Sequence, residues 1–321
     1  MKTLDILIPC RNEMAYLHIL VNSLQNLIIP ENLSVRFIFS DNNSTDGSYE
    51  SLKLAPLNNK VLYLQEKDVG AWGNISFLLN KIEADYFMFI DGHDYISQFY
   101  LQDFYDETIS RSSDSAYIGN IITLQEIKNK FHPTHIQENY VFAKSKYVRS
   151  FQLCLFLFHN SIYHAIFPTR TIDMSKLTTA KSWSLDHLIT HAGLANNELR
   201  YLRKSFYIRR YREILADDFT HDVSGEMVTR KQRGMGKSDL IINDLNIANE
   251  IINLSDFKNY LVKAFVQLLI HGKFNRSKFS IFVYRISRFF VGRILQSNPL
   301  KSVKTRIPVD IYGKITAYEA N

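Results

Sequence analysis

Carboxylates at the end of an apolar run are the most chemically suggestive feature of this 321-residue chain. Phe87-Met88-Phe89-Ile90 leads directly into Asp91-Gly92-His93-Asp94. Open α/β sheets bind ligands at the carboxyl ends of their strands, so a buried strand there delivers two acids and an imidazole to a binding position. Hard divalent cations take carboxylate oxygens and then the oxygens of a diphosphate. The block therefore reads as a metal-dependent nucleotide site, with Asp94 the first ligand, Asp91 the second and His93 a third. Imidazole suits Mn²⁺ better than Mg²⁺; the alternative is that His93 contacts phosphate directly.

Two other apolar runs end the same way. Ile6-Leu7-Ile8 is followed by Pro9-Cys10-Arg11-Asn12-Glu13, and Phe37-Ile38-Phe39 by Ser40-Asp41-Asn42-Asn43-Ser44-Thr45-Asp46-Gly47. The three blocks resemble, in order and spacing, the signature of the family-2 glycosyltransferases over roughly residues 1–215, and three blocks in register are far more specific than one. The resemblance implies a GT-A fold: a doubly wound, mostly parallel α/β sheet that binds a nucleotide-activated sugar. It also implies an inverting transfer from a nucleoside-diphosphate sugar, UDP-linked in the first instance, to a hydroxyl of a saccharide or lipid-linked acceptor in bacterial surface polysaccharide assembly.

Such a transfer needs a grip on the base, neutralisation of the leaving diphosphate and a group to deprotonate the acceptor. Pro9, Asn12 and Glu13 after the first strand, and Asp41 and Asn42 after the second, offer carboxylates and amides that can read a base edge or ribose hydroxyls. The family usually has two adjacent acids in the second loop, and Asn42 stands at the second. Asp41, Asn43 and Asp46 also suit a turn with no ligand role. Lys67-Asp68-Val69-Gly70-Ala71-Trp72-Gly73-Asn74 resembles the family's next donor segment, where Asp68, Gly70 and Asn74 would approach ribose or phosphate, and equally suits a capped helix start. Asp91 and Gly92 fall in the donor site as well as beside the Mn²⁺ or Mg²⁺ ion. In Ser182-Trp183-Ser184-Leu185-Asp186 the residue matching the family's acceptor-side acid is Asp186, the expected catalytic base, with Leu185 where a second acid is usual.

These residues need strands to carry them. Strands are expected near 4–8, 35–39, 61–64, 86–90, 116–123 and 162–167, a helix or strand over 147–158, and a basic strand pair over 199–212. Helices are expected over 16–27, 47–54, 71–82, 98–110 and 184–194. Residues 216–238, rich in glycine and basic residues, read as a mobile loop whose stretch 229–237 suits a solvated charged loop first and a lid on the diphosphate second, and 239–321 as a helical extension.

With 46% hydrophobic and 22% charged residues the chain reads as globular, and a net charge of +6 admits an anionic substrate or an anionic membrane surface. No run is apolar for the ~20 residues of a spanning helix. Phe279–Leu295 mixes arginines and aromatics at near-helical spacing, so peripheral membrane contact and packing on the catalytic domain both stay open. The two cysteines and the absence of a leader pattern after Met1 suggest a cytoplasmic protein. No nucleic-acid partner is expected. Two rivals remain: a nucleotidyltransferase, which would usually show a glycine-rich loop after the first strand, and a non-catalytic scaffold, suggested by His93 and Leu185.

Overall fold

The computed structural model describes residues 1–110, 115–127, 130–139, 142, 144, 149, 160–179, 185–211, 219–221, 227–229 and 303–306. The first sheet contains β1 (Lys2–Cys10), β2 (Leu33–Asp41), β3 (Lys60–Leu64), β4 (Tyr86–Phe89) and a two-residue strand, β8 (Phe167–Pro168), in the order β3-β2-β1-β4-β8. The first four are parallel and β8 runs against β4. The chain builds outward from β1 to β3 and then crosses to the other side of β1 for β4. That reversal opens a crevice at the carboxyl ends of β1 and β4, the ligand position of doubly wound sheets.

Period-two burial explains why helices cover both faces. Ile6, Ile8, Phe37, Phe39, Met88 and Ile90 point to one side, where they meet Leu17, Leu20 and Leu24 of α1 (Met14–Gln25), Leu52 of α2 (Ser48–Leu54) and Phe104 of α4 (Tyr100–Ile109). Leu7, Ile38, Phe87 and Phe89 point to the other, against Ile75 and Leu78 of α3 (Gly70–Leu79), Leu177 of α5 (Met174–Thr179) and Leu188 and Ile189 of α6 (Leu185–Ala195). The acid inside β1 is satisfied: Asp5 is fully buried, accepts two bonds of 2.8 Å from Arg36, and takes the Glu83 and Ala84 N–H groups at 2.8 and 3.1 Å.

A second, mixed sheet has the order β12-β7-β6-β9-β5, with β5 (Tyr95–Ile96), β6 (Ser115–Ile127), β7 (Lys130–Asn139), β9 (Glu198–Tyr211) and β12 (Val303–Arg306). A bridge between Tyr117 and Ile166 joins it to the first sheet's edge.

Two expectations change. The basic segment after residue 198 is one fourteen-residue strand, β9, and not a pair, because it lies parallel to β6 on one side and antiparallel to β5 on the other. The apolar run 162–167 is mostly a 3₁₀ turn, Asn160–His164, before β8; short apolar runs do not tell a strand from a buried turn. Within 216–238, β10 (Phe219–His221) pairs antiparallel with β11 (Met227–Thr229). The expected segment over 147–158 (apart from Arg149), the basic stretch 230–237, and all of the expected helical extension except Val303–Arg306, which is the strand β12 and not a helix, lie outside the described residues.

Candidate active site

The loops after β1, β2 and β4 and the starts of α3 and α6 enclose a cleft of about 560 Å³. Of the residues singled out in the sequence, Pro9, Asn12, Glu13, Asn42 and Asn74 line one part of it, and Asp91, Gly92, His93 and Asp186 another. Gly92 is confined by contact: a Cβ there would lie 2.8 Å from Glu13 Cγ and 3.2 Å from Cys10 Sγ, so the acidic loop lies directly on the β1 loop. The first two loops are tied as well. Asn12 takes the left-handed φ of 51°, receives the Thr45 N–H at 2.9 Å on its Oδ1 and donates its own N–H to Ser44 Oγ at 2.9 Å.

The departure at Asn42 has a physical reason. Its amide donates to Asp68 Oδ1 at 2.6 Å and accepts the Val69 N–H at 2.9 Å. A carboxylate at 42 could only repel Asp68, whereas an amide locks the second loop to the start of α3. Asp68 also accepts the Gly70 N–H at 2.8 Å and pairs with Arg11, and Gly70 sits at φ 73°. Asp68 and Gly70 thus shape the cleft wall. Asp41 lies beneath it, fully buried; Oδ1 accepts the Ser44 N–H at 2.8 Å and Oδ2 has no partner among the described residues.

The acids of the third block divide between surface and core. Asp91 is partly open to the cleft and accepts a hydrogen bond from Tyr163. Burial works to raise its pKa, but His164, His93 and the Tyr163 hydroxyl together hold the carboxyl below its ordinary value. Asp94 is fully buried, its Oδ1 accepting the Arg210 N–H and its Oδ2 the Tyr207 hydroxyl, both at 2.8 Å. Arg210 Nη1 also donates to the His93 carbonyl at 2.9 Å, so β9 clamps the acidic loop from behind.

His93 Nδ1 lies 3.1 Å from Glu13 Oε1 and its Nε2 3.8 Å from Asp94 Oδ1. Among the described residues, the group whose potential ligand atoms converge is Asp91, Asp94 and His164. Two carboxylates and one imidazole are a donor set that a divalent first-row cation accepts. His164 is buried; that burial lowers its pKa below the usual histidine value, outweighing Asp91 and Asp94. Burial first, and then Asp91 and Asp94, push the Tyr163 and Tyr207 hydroxyls well above theirs, so both remain protonated donors.

Asp186 lies in the first turn of α6 and its Oδ1 is buried without a hydrogen-bond partner among the described residues. Leu185, where a second acid is usual, is buried in the core beneath. The sequence pattern assigned no donor or metal role to Tyr163, Arg11 and Trp72 in the cleft wall or to His164, Tyr207 and Arg210 behind it. The available signal was Tyr163-His164, two polar rings inside an otherwise apolar run.

Residues 5–175, more than half of the chain, match the model of Glycosyl transferase family 2. The chain belongs to this family. It is 22% identical over 223 residues to the glycosyltransferase GlyA of Streptococcus pneumoniae, covering 65% of this chain and 31% of that one. It is 31% identical over 146 residues to the processive diacylglycerol beta-glycosyltransferase of Mycoplasma pneumoniae, 44% of this chain and 42% of that one. The aligned region thus spans between 31% and 42% of the length of these curated relatives. Among solved structures, S. aureus TarS 1–349 in complex with UDP-GlcNAc superposes with a TM-score of 0.58 at 19% identity, covering 85% of this chain and 73% of that one. That likeness is one of fold, and the fold of this family-2 chain is the expected GT-A arrangement.

Proposed function

We propose that this chain is an inverting glycosyltransferase that moves a sugar from a nucleoside-diphosphate sugar, UDP-linked, to a hydroxyl of a saccharide or lipid-linked acceptor in bacterial surface glycan assembly. The observation that carries the reading is Asp186: a buried carboxylate oxygen with no hydrogen-bond partner among the described residues, in the wall of a cleft formed by the family's three nucleotide loops. A buried carboxylate oxygen left unsatisfied by the described residues calls for a donor from elsewhere, and an acceptor hydroxyl supplies one. As that hydroxyl attacks the anomeric carbon and the bond to the diphosphate breaks, its proton passes to Asp186, because the alcohol acidifies as the new bond forms. One base on one wall is what a single displacement with inversion requires.

The base and ribose would lie against Pro9, Asn12, Glu13, Asn42 and Asn74, with Asn74 Oδ1, buried and without a hydrogen-bond partner among the described residues, ready to accept. Asp91 and Asp94 would hold a divalent cation, Mn²⁺ or Mg²⁺. When bound, such an ion supplies positive charge to the departing diphosphate. Tyr163 and Arg210 keep the two acids in place. TarS, which shares the fold, was solved with UDP-GlcNAc and with UDP, and this supports a UDP-linked donor. The Mycoplasma relative is named for a diacylglycerol acceptor, which supports a lipid-linked one.

A thermal-shift screen of the full chain with Mn²⁺ against UDP, GDP, CDP and dTDP and their sugars tests the donor. UDP and one UDP-sugar are expected to raise the melting temperature most. A chain stabilised by none of them is not a nucleotide-sugar enzyme.

A further inference from the structure

The protonation of His164 can be read from its neighbours. Tyr207 has one hydroxyl proton, and its hydroxyl donates to Asp94 Oδ2 at 2.8 Å. Toward His164 Nδ1, also 2.8 Å away, it is therefore an acceptor. The Phe89 carbonyl, 3.1 Å from the same nitrogen, can only accept. Both partners place the ring proton on Nδ1. In the neutral ring Nε2 then carries a bare lone pair, and that atom faces Asp91 Oδ2 and Asp94 Oδ2, each 3.8 Å away and beyond hydrogen-bond reach. Three electron-rich atoms face a common gap, with His164 and Asp94 both sealed from water. Burial makes such a grouping unfavourable unless positive charge lies among them. All three atoms lie within 4.8 Å of one another, the scale spanned by ligand bonds of roughly 2.0–2.2 Å to one ion.

We propose that His164 is a nitrogen ligand of this cation site, held in its ligating tautomer by Tyr207, and that it tunes the site to Mn²⁺ and neighbouring first-row ions over Mg²⁺. The inference rests on the cation reading above and adds to it a ligand 70 residues from the acidic block, together with an ion preference. Imidazole binds Mn²⁺ acceptably, whereas Mg²⁺ demands hard oxygen ligands. Tyr207 is a positioning residue, one hydroxyl orienting two ligands, and outer-shell partners of this kind typically tune metal affinity by roughly 10–100-fold. His93 is the competing nitrogen, since its Nε2 lies 3.8 Å from Asp94 Oδ1.

The test reads the metal and not turnover. Mn²⁺ is titrated into the full chain with UDP present and followed by electron paramagnetic resonance, with pulsed spectra recorded for nitrogen coupling to the ion. The wild-type chain should show imidazole nitrogen coupling. His164→Asn, whose amide keeps a donor near the Nδ1 position, should lose it, and His93→Asn should retain it. Tyr207→Phe should keep the coupling and weaken Mn²⁺ by roughly tenfold or more. In competition, Mg²⁺ should displace Mn²⁺ more readily from His164→Asn than from wild type. Because the wild-type spectrum needs no variant, misfolding of His164→Asn would leave the question decidable. Bound Mn²⁺ without nitrogen coupling, or with coupling lost in His93→Asn and kept in His164→Asn, overturns the inference while the cation reading stands. Absence of Mn²⁺ binding with UDP bound overturns both.

Discussion

Asp94 is the residue on which the acidic loop is anchored. Both its oxygens receive hydrogen bonds from β9, and no water reaches it. Asp94→Asn turns one acceptor oxygen into a donor that faces either the Arg210 N–H or the Tyr207 hydroxyl, and removes the charge a cation needs. Calorimetry of UDP with and without Mn²⁺ should then find the metal-dependent gain in affinity reduced by about tenfold or more, with the chain still folded; an undiminished gain would remove Asp94 from the site. That Asp91, Gly92 and Asp186 would reach one cleft, with Asp94 behind it, was legible in the sequence because each belongs to a local block. His164 and Tyr207 were not, because 70 and 113 residues separate them from the atoms they touch in Asp94. The role of Asn42 was hidden for the same reason, since its amide makes sense only once Asp68 is placed 2.6 Å away.

At the scale of elements, α6 carries the proposed base, Asp186, and its seat is set by one small residue. Gly193 lies seven positions after Asp186, two turns along the same face, and a Cβ there would come within 2.2 Å of the Phe167 ring. Gly193→Ala must push α6 or Phe167 aside, at a cost of about 1–3 kcal/mol for overpacking a filled core, and shifts Asp186 relative to the cleft. Turnover should fall more than UDP affinity, measured together with a urea melt; an unchanged melt and unchanged turnover would show that the helix is not so confined. The central strand β1 gives a second test. Asp5→Ala strands the Glu83 and Ala84 N–H groups and the half-exposed Arg36, so a loss of roughly 3 kcal/mol is expected from the same melt. Strands β1, β2 and β4 were legible because an apolar run bounded by polar loops has one economical reading. The turn at 160–164 and the single long β9 were not, because their form depends on Asp91, β5 and β6, partners no local pattern names.

For the whole molecule, the parallel half of the fold and its crevice followed from strands alternating with helices, whereas the second sheet, which joins residues 95–96 to 303–306, could not be assembled from local periodicity. Among the described residues no helix is long and apolar enough to cross a membrane. Phe279–Leu295 lies outside them, and its arginines and aromatics suit either contact with an anionic surface or packing on the catalytic domain, which vesicle binding distinguishes. The full chain is expected to sediment with phosphatidylglycerol vesicles at low salt, each arginine adding about 1 kcal/mol, and to be released near 1 M salt, where the screening length is ~3 Å; a chain that never sediments with them lacks this contact. The central claim, that Asp186 deprotonates an acceptor hydroxyl over a bound nucleotide sugar, is tested most directly by UDP release from the UDP-sugar that stabilises the chain, with its acceptor and Mn²⁺ present. Asp186→Asn is predicted to bind that donor as wild type does and to release UDP roughly a hundredfold more slowly or worse; release at the wild-type rate would contradict the account.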